Sequence, residues 1–430
     1  MNAGLWLLSV ALAEPVAFVG ATLHPVDRPA IEDGVLVVDN GKIVALSQTV
    51  PDGMRTVDLT GKHIIPGLVD THSHIGGARL NDDLAPIQPG LSAIDAFDPT
   101  HDSVSRARAG GITTVNVMPG SGKLMGGQTA YLKLRDSAVV DDLLMCSDLA
   151  APFEQSEGPA RRTGVCGGMK MANGTNPQGP GHDPKSRMGA AYLQRKALGE
   201  GQDRLEQLSS GDGPDAPALD LDALAQLVSG QRTVHFHTHR ADDIVTIAAL
   251  RREFDLDVVL HHVSEAWKVP DLLAELQLPC SLIMVDAPGG KEEALQIALE
   301  NGALLEEKGV PVAFHTDDPI TDSRLFLRSA GLAVRAGMSP EGALAALTLV
   351  PARMMRLDAA VGSLTPGKHA DFVVLSGTPL SSWTLVEQTW VEGELLFDRS
   401  TPEGQRLATG GRPGLQMSGV DGRTSSGAVQ

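Results

Sequence analysis

The sequence predicts an α/β protein, with a parallel sheet of β–α units in the middle of the chain and a small β domain made from its two ends. Three observations point there. Between about residues 64 and 355, short apolar runs alternate with stretches of helical period. Both ends read instead as short strands separated by turns. Clusters of His and Asp close several central apolar runs, on the side where barrel active sites are built. A chain of 430 residues also exceeds one ordinary core, so a large domain plus a smaller one is expected.

Taken in order, residues 5–13 are apolar and end in ALA (11–13) before Glu14 and Pro15, an A-x-A-like export signal that lacks a basic start. Residues 1–13 are therefore expected to direct export to the periplasm or medium. The alternative is a first strand in a cytoplasmic protein. Strands are expected at 16–23, 34–39, 42–46 and 56–59, with DNGK (39–42) as a hairpin turn. The central strands are expected at 64–72, 113–117, 233–237, 258–261, 280–284 and 311–315. Helices are expected at 242–253, 291–308, 323–336 and 340–355, the last opening on Ser339 and Pro340. A Gly-, Pro- and Asp-rich surface loop falls at 209–217. Strands return at 371–376 and 389–397, and residues 401–430, rich in Gly, Ser and Thr, are expected to be a disordered tail.

Composition excludes several functions. A formal charge of -18 argues against nucleic acid, and aromatics at 3% leave little for base stacking. No apolar run approaches the ~20 residues needed to span a bilayer. Cys146, Cys166 and Cys280 are scattered and odd in number, so neither a disulfide framework nor a thiolate zinc site is expected. A metal would have to be held by His and carboxylates.

Such residues stand where a site needs them. PGLVDTHSH (66–74) ends a buried strand in His72 and His74, whose side chains, two apart, share a face. Neutral imidazole is the commonest protein ligand for transition metals. TVHFHTH (233–239), VVLHH (258–262) and VAFHTDDP (312–319) end later strands in the same manner. Structural histidines would scatter along the chain rather than repeat at four strand ends.

PGLVDTHSH with His237, His262 and Asp317 resembles the amidohydrolase superfamily, metal-dependent hydrolases built on a (β/α)8 TIM barrel. The resemblance runs from GATLHP (20–25) and NGKI (40–43) to GSLTPGKHAD (362–371). Those end segments look like the composite β-sandwich domain of many members, which implies a sandwich of 14–62 with 361–400 around a barrel of 63–360. GGITTV (110–115), MKMA (169–172) and HRADD (239–243) look like the imidazolonepropionase-related branch. The family implies that His72 and His74 bind a first metal, with His237, His262 and Asp317 from strands five, six and eight. In related members a lysine at the position of Lys170 is carboxylated by CO2 and bridges two metals, a role that requires a neutral amine. A substrate-binding or ion-paired Lys170 is the alternative. The implied cofactor is one or two divalent ions, zinc first among them.

The spacing to Arg240 favours His237 over His235 as ligand, leaving His239 to contact substrate and His235 as a satisfied interior residue. His261 and His315 depart from the family pattern. Asp318 is expected to cap the following turn. Gln128 and Arg240 are candidate substrate contacts, as is Arg187. The implied activity is hydrolysis of an amide or cyclic amide C–N bond of a small molecule by a metal-activated hydroxide, since a metal lowers the pKa of water from about 15.7 to about 7. Asp317 would take the proton and pass it to the leaving nitrogen. Two alternatives stand beside this reading: an exported Xaa-Pro-type dipeptidase, and a non-catalytic scaffold of the same fold. Expected partners are a small-molecule substrate and, as an open alternative, further copies of the chain in a homo-oligomer.

Overall fold

A computed structural model describes residues 14–77, 81–146, 165–178, 183–211, 218–285 and 291–409. The expected export signal at 1–13 and positions 410–430 of the expected tail lie outside the described residues. Both ends of the chain contribute to one mixed sheet. Its order is Glu394–Asp398, Val386–Val391, Phe372–Leu375, His63–Pro66, Val16–Leu23, Ile31–Asp39 and Lys42–Ser47, and Arg55–Asp58 also pairs with Val16–Leu23. Phe18, Leu36, Ile64 and Phe372 fill its core. The rings of Phe18 and Phe372 meet edge to face at 4.9 Å.

The middle of the chain forms two further sheets. In the first, Met169–Ala172, Val234–Thr238, Val258–His262, Cys280–Ile283 and Val312–His315 run parallel, and Met125–Gln128 lies antiparallel at one edge. The second contains Leu68–Ser73, Ile112–Val117 and Ala130–Lys133. The two do not close into one continuous ladder, but backbone bonds join them on both sides. Asp317 donates its N–H to the His72 carbonyl at 2.9 Å, and Thr129 donates to Gly168 at 2.9 Å. One apolar core lies beneath both sheets, with Leu68, Val115, Met169, Phe236, Leu260 and Phe314 buried in it.

Several expectations need correction. The single strand expected at 64–72 is two, because the chain changes sheets at Gly67. His63–Pro66 pairs with Phe372–Leu375, whereas Leu68–Ser73 pairs with Ile112–Val117. A Cβ on Gly67 would stand 2.2 Å from Thr113 Oγ1, so the crossing is closed to any larger residue. The helix expected at 340–355 is also two, Pro340–Ala345 and Leu349–Met354. Its interruption frees the carbonyls of Ala346 and Leu347, which accept from Phe314 at 2.9 Å and Val69 at 2.9 Å and so tie the two central sheets together. Helix over 291–308 is confined to a 3-10 turn at Glu292–Ala294 and the helix Asn301–Glu307. The helix Arg187–Ser210 takes in the start of the stretch read as a surface loop. Pro402–Thr409 is helical rather than disordered, because Leu407 and Ala408 pack on the main core. Finally, Cys146 and Cys166 form a disulfide. Their separation of 20 residues along the chain concealed that the fold brings them together.

Candidate metal centre

The carboxyl ends of five strands deliver their polar residues to one place. Parallel pairing sets Ala172 beside His237 and Thr238 beside His262, so the imidazoles of neighbouring strands rise together. Lys170 pairs with His235 and therefore sits two residues deeper. Its Nζ lies 3.1 Å from His72 Nε2. Asp317 Oδ1 stands 3.0 Å from His74 Nε2 and 3.4 Å from His72 Nε2. The rings of His237 and His262 are 4.4 Å apart. Three groups, His72–His74–Asp317, His237–His239–His262 and His72–His262–His315, each hold their ligand atoms within 4.8 Å of one another. The structure thus brings together all six residues expected at the metal: His72, His74, Lys170, His237, His262 and Asp317.

The backbone is strained to do this. His262 and Asp317 have φ of +71° and +50°, in the left-handed region that non-glycine residues seldom occupy. Such residues cost about 1–3 kcal/mol each, and they cluster at functional sites. Buried Asp70 ties the two strand ends by accepting from His72 N at 3.2 Å, Thr316 N at 3.1 Å and Thr316 Oγ1 at 2.5 Å. Burial pushes its carboxyl up to about 7, against those hydrogen bonds.

Electrostatics suit a divalent ion. Burial, reinforced by neighbouring cations and imidazoles, holds His72, His237 and His262 well below the ordinary imidazole range, so they stay neutral with a lone pair to offer. His262 Nε2 is buried without a hydrogen-bond partner, an orphaned acceptor of the kind an ion would satisfy. The remaining nitrogens are oriented from behind. His74 Nδ1 lies 2.8 Å from the Met118 carbonyl and His237 Nδ1 2.9 Å from Ser121 Oγ. His262 Nδ1 meets His315, which leads on to Ser281 and Thr71. Burial also pushes Lys170 down to about 7, so much of it is unprotonated near neutrality. Burial alone would raise Asp317, but the hydrogen bond and charge of His74, with His315 and Lys170, hold it below the usual carboxylate range. It is an ionised carboxylate.

Above these groups opens a cavity of about 380 Å³, lined by His74, His237, His239, His262 and Asp317 at the polar end and by Ile283, Val285, Ala294, Ile297 and Ile320 elsewhere. His239 is thus where a substrate contact was expected. Gln128 and Arg240 are not among the lining residues. The Gln128 amide is spent on the Pro89 carbonyl at 3.3 Å, and exposed Arg240 is forked onto Asp242 at 2.9 Å. Arg187 donates its Nε–H to both Asp243 carboxylate oxygens. His235, between Tyr131 and His261, is the satisfied interior residue expected, and Asp318 caps the turn at Ser323. Sequence reasoning missed Ser121, Asn176 and Lys291, all on the cavity wall. The only signal for Lys291 was the Pro288–Gly290 break before it, which argues against a helix running in from upstream.

Comparison with known proteins follows the same line. A family profile described as "Amidohydrolase family" matches residues 225–397. An amidohydrolase of Hapsidospora irregularis is 26% identical over 401 residues, 86% of this chain, but the match spans only 39% of that longer protein. The imidazolonepropionase of Cupriavidus taiwanensis is 27% identical, with 80% of this chain and 85% of the enzyme covered. The crystal structure of an amidohydrolase from Thermotoga maritima MSB8 superposes with a TM-score of 0.79 at 30% identity, covering 89% of this chain and 100% of that one.

Proposed function

The chain belongs to the amidohydrolase superfamily, and from that premise we propose that it hydrolyses an amide or cyclic amide C–N bond in a small molecule with the help of one or two divalent ions, zinc first among them. One observation carries the reading: neutral imidazoles, an ionised Asp317 and a part-neutral Lys170 converge from five strand ends on one small cavity. His72, His74 and Asp317 would hold one ion, and His237 with His262 a second, bridged by Lys170 carrying a carboxylate. A bound ion supplies Lewis acidity, polarising a carbonyl and acidifying water. Asp317, kept ionised and reaching the cavity, accepts the proton from the attacking water and returns it to the leaving nitrogen. The apolar wall excludes bulk water and seats the rest of the substrate.

The finer architecture follows from this reading. The two central sheets correspond to a (β/α)8 barrel, with the antiparallel stretch 125–133, broken at Thr129, in the third place. The β-sandwich unit then takes 14–66 and 361–400. The Cys146–Cys166 disulfide favours an oxidising compartment, hence export. Titration of the unreduced, denatured protein should find one thiol, Cys280; three would remove that support.

Metal analysis together with a panel of cyclic ureides, N-acyl amino acids and dipeptides tests the function. One or two divalent ions per chain and metal-dependent turnover are expected. A metal-free protein that stays inert after reconstitution would favour the scaffold reading instead.

A further inference from the structure

We propose that Lys291 docks a carboxylate of the substrate, so that the preferred substrates are anionic amides with a compact apolar body; this rests on the hydrolase reading above. Lys291 stands on the cavity wall, beyond the strand that carries Ile283. Its ammonium has three N–H directions. Glu293 Oε1 is paired with it by charge at 3.0 Å. Its hydrogen-bonding contacts face the site, with Nζ 2.8 Å from His239 Nε2 and 3.3 Å from His237 Nε2. Neutral imidazole is a weak partner for a cation, and a His237 nitrogen that holds an ion has no lone pair left for Lys291. A carboxylate offers both charge and well-directed lone pairs.

Glu293 serves as an anchor rather than a full counter-charge. It is buried, its Oε2 accepts from Thr175 N at 2.8 Å, and Arg187 Nη2 lies 3.8 Å away, so its charge is shared. This holds Lys291 in place at the wall. Asn176, whose Nδ2 is 3.4 Å from His237 Nε2, offers a second donor nearby. Among the described lining residues Lys291 is the one lysine or arginine and Asp317 the one acid. The amide of the substrate must face the Asp317 end for hydrolysis, so a single carboxylate on the same molecule is left to Lys291, which fixes which way round it lies. Ile283, Val285, Ala294, Ile297 and Ile320 leave room for a small aliphatic body and no further charge.

The test uses calorimetric binding of N-acetyl-L-leucine and N-acetyl-L-leucinamide, which differ only in the carboxylate, to the full chain. Both are measured on metal-loaded protein and after EDTA treatment, which removes turnover and any direct bond from carboxylate to metal. Wild type should prefer the acid by about tenfold in both states. Lys291→Gln should erase the preference, and Lys291→Arg should keep part of it with an unchanged melting temperature. A preference unaltered in Lys291→Gln overturns the proposal, as does equal binding or no binding of the two probes by wild type. The hydrolase reading fails separately: a chain that binds no divalent ion yet shows the Lys291-dependent preference would lose the activity and keep the anion site.

Discussion

Asp317 carries two demands that rarely fall on one residue. Its backbone is left-handed, at φ +50°, and in the proposed reaction its side chain, beside His74, must act as an ionised base. Asn tolerates the left-handed region nearly as well as Asp but cannot take a proton. Asp317→Asn should therefore lower kcat by about 10²–10⁴-fold with little change in melting temperature, a separation that steady-state kinetics and calorimetry can check. Comparable loss of fold and activity would mean that the carboxylate is structural. Lys170 poses the opposite problem, a buried amine with His72 Nε2 and Met118 Sδ as neighbours. Lys170→Met keeps its volume and removes its chemistry. If Lys170 bridges two ions, metal content should fall by one equivalent; an unchanged count would sink the bridge.

At the scale of elements, the strand that bears His72 depends on Gly67. Substituting Ala there would press a methyl group into Thr113, and we expect Gly67→Ala to cost about 1–3 kcal/mol in urea unfolding. The same junction is fastened by buried Lys133, paired with Asp371, whose backbone carbonyl accepts from Gly67 N at 2.9 Å. These elements also show what could be read from the sequence. Apolar runs ending in His and Asp marked the strand ends, because a period of two and a terminal polar cluster are local signals, whereas the family resemblance singled out the six convergent residues. The break at 346–348 was hidden, since the carbonyls of Ala346 and Leu347 leave the helix for partners more than thirty residues upstream or hundreds away. Lys291 was hidden for a related reason: the apolar spacing of Ala294, Leu295, Ala298 and Leu299 imitates a helix while Glu293 and Ile297 turn inward. Arg240 stood beside the cavity residue His239 in sequence, and Gln128 at a strand end. Neighbourhood along a strand end does not say which way a side chain points, and both found other partners.

For the whole molecule, acid sensitivity should arise away from the site as well as within it. His24 and His63, from strand and turn in the terminal sheet, share a contact of 2.9 Å. Burial, then repulsion from His63, lowers His24 to about 4. Between pH 6.5 and 4 the unfolded chain binds a proton there that the folded chain does not, so stability falls as pH drops through that window and is level above it. The full shift corresponds to about 3 kcal/mol, but the ring is partly solvated and we expect about 1 kcal/mol. Denaturant unfolding at pH 7.5 and 5 should show wild type losing about 0.6 kcal/mol more than His24→Gln; equal losses would place the acid sensitivity elsewhere. The crossing at Gly67 also bears on the order of synthesis. His72 is made early, yet the strand that anchors its base pairs with Phe372–Leu375, made some three hundred residues later. A ribosome-bound chain can therefore pair the strand of His72 with Ile112–Val117 early, whereas His63–Pro66 at its base waits for nearly the last strands to emerge. If the proposed metal site depends on that anchor, a product truncated before residue 371 should bind less metal than the full chain in elemental analysis.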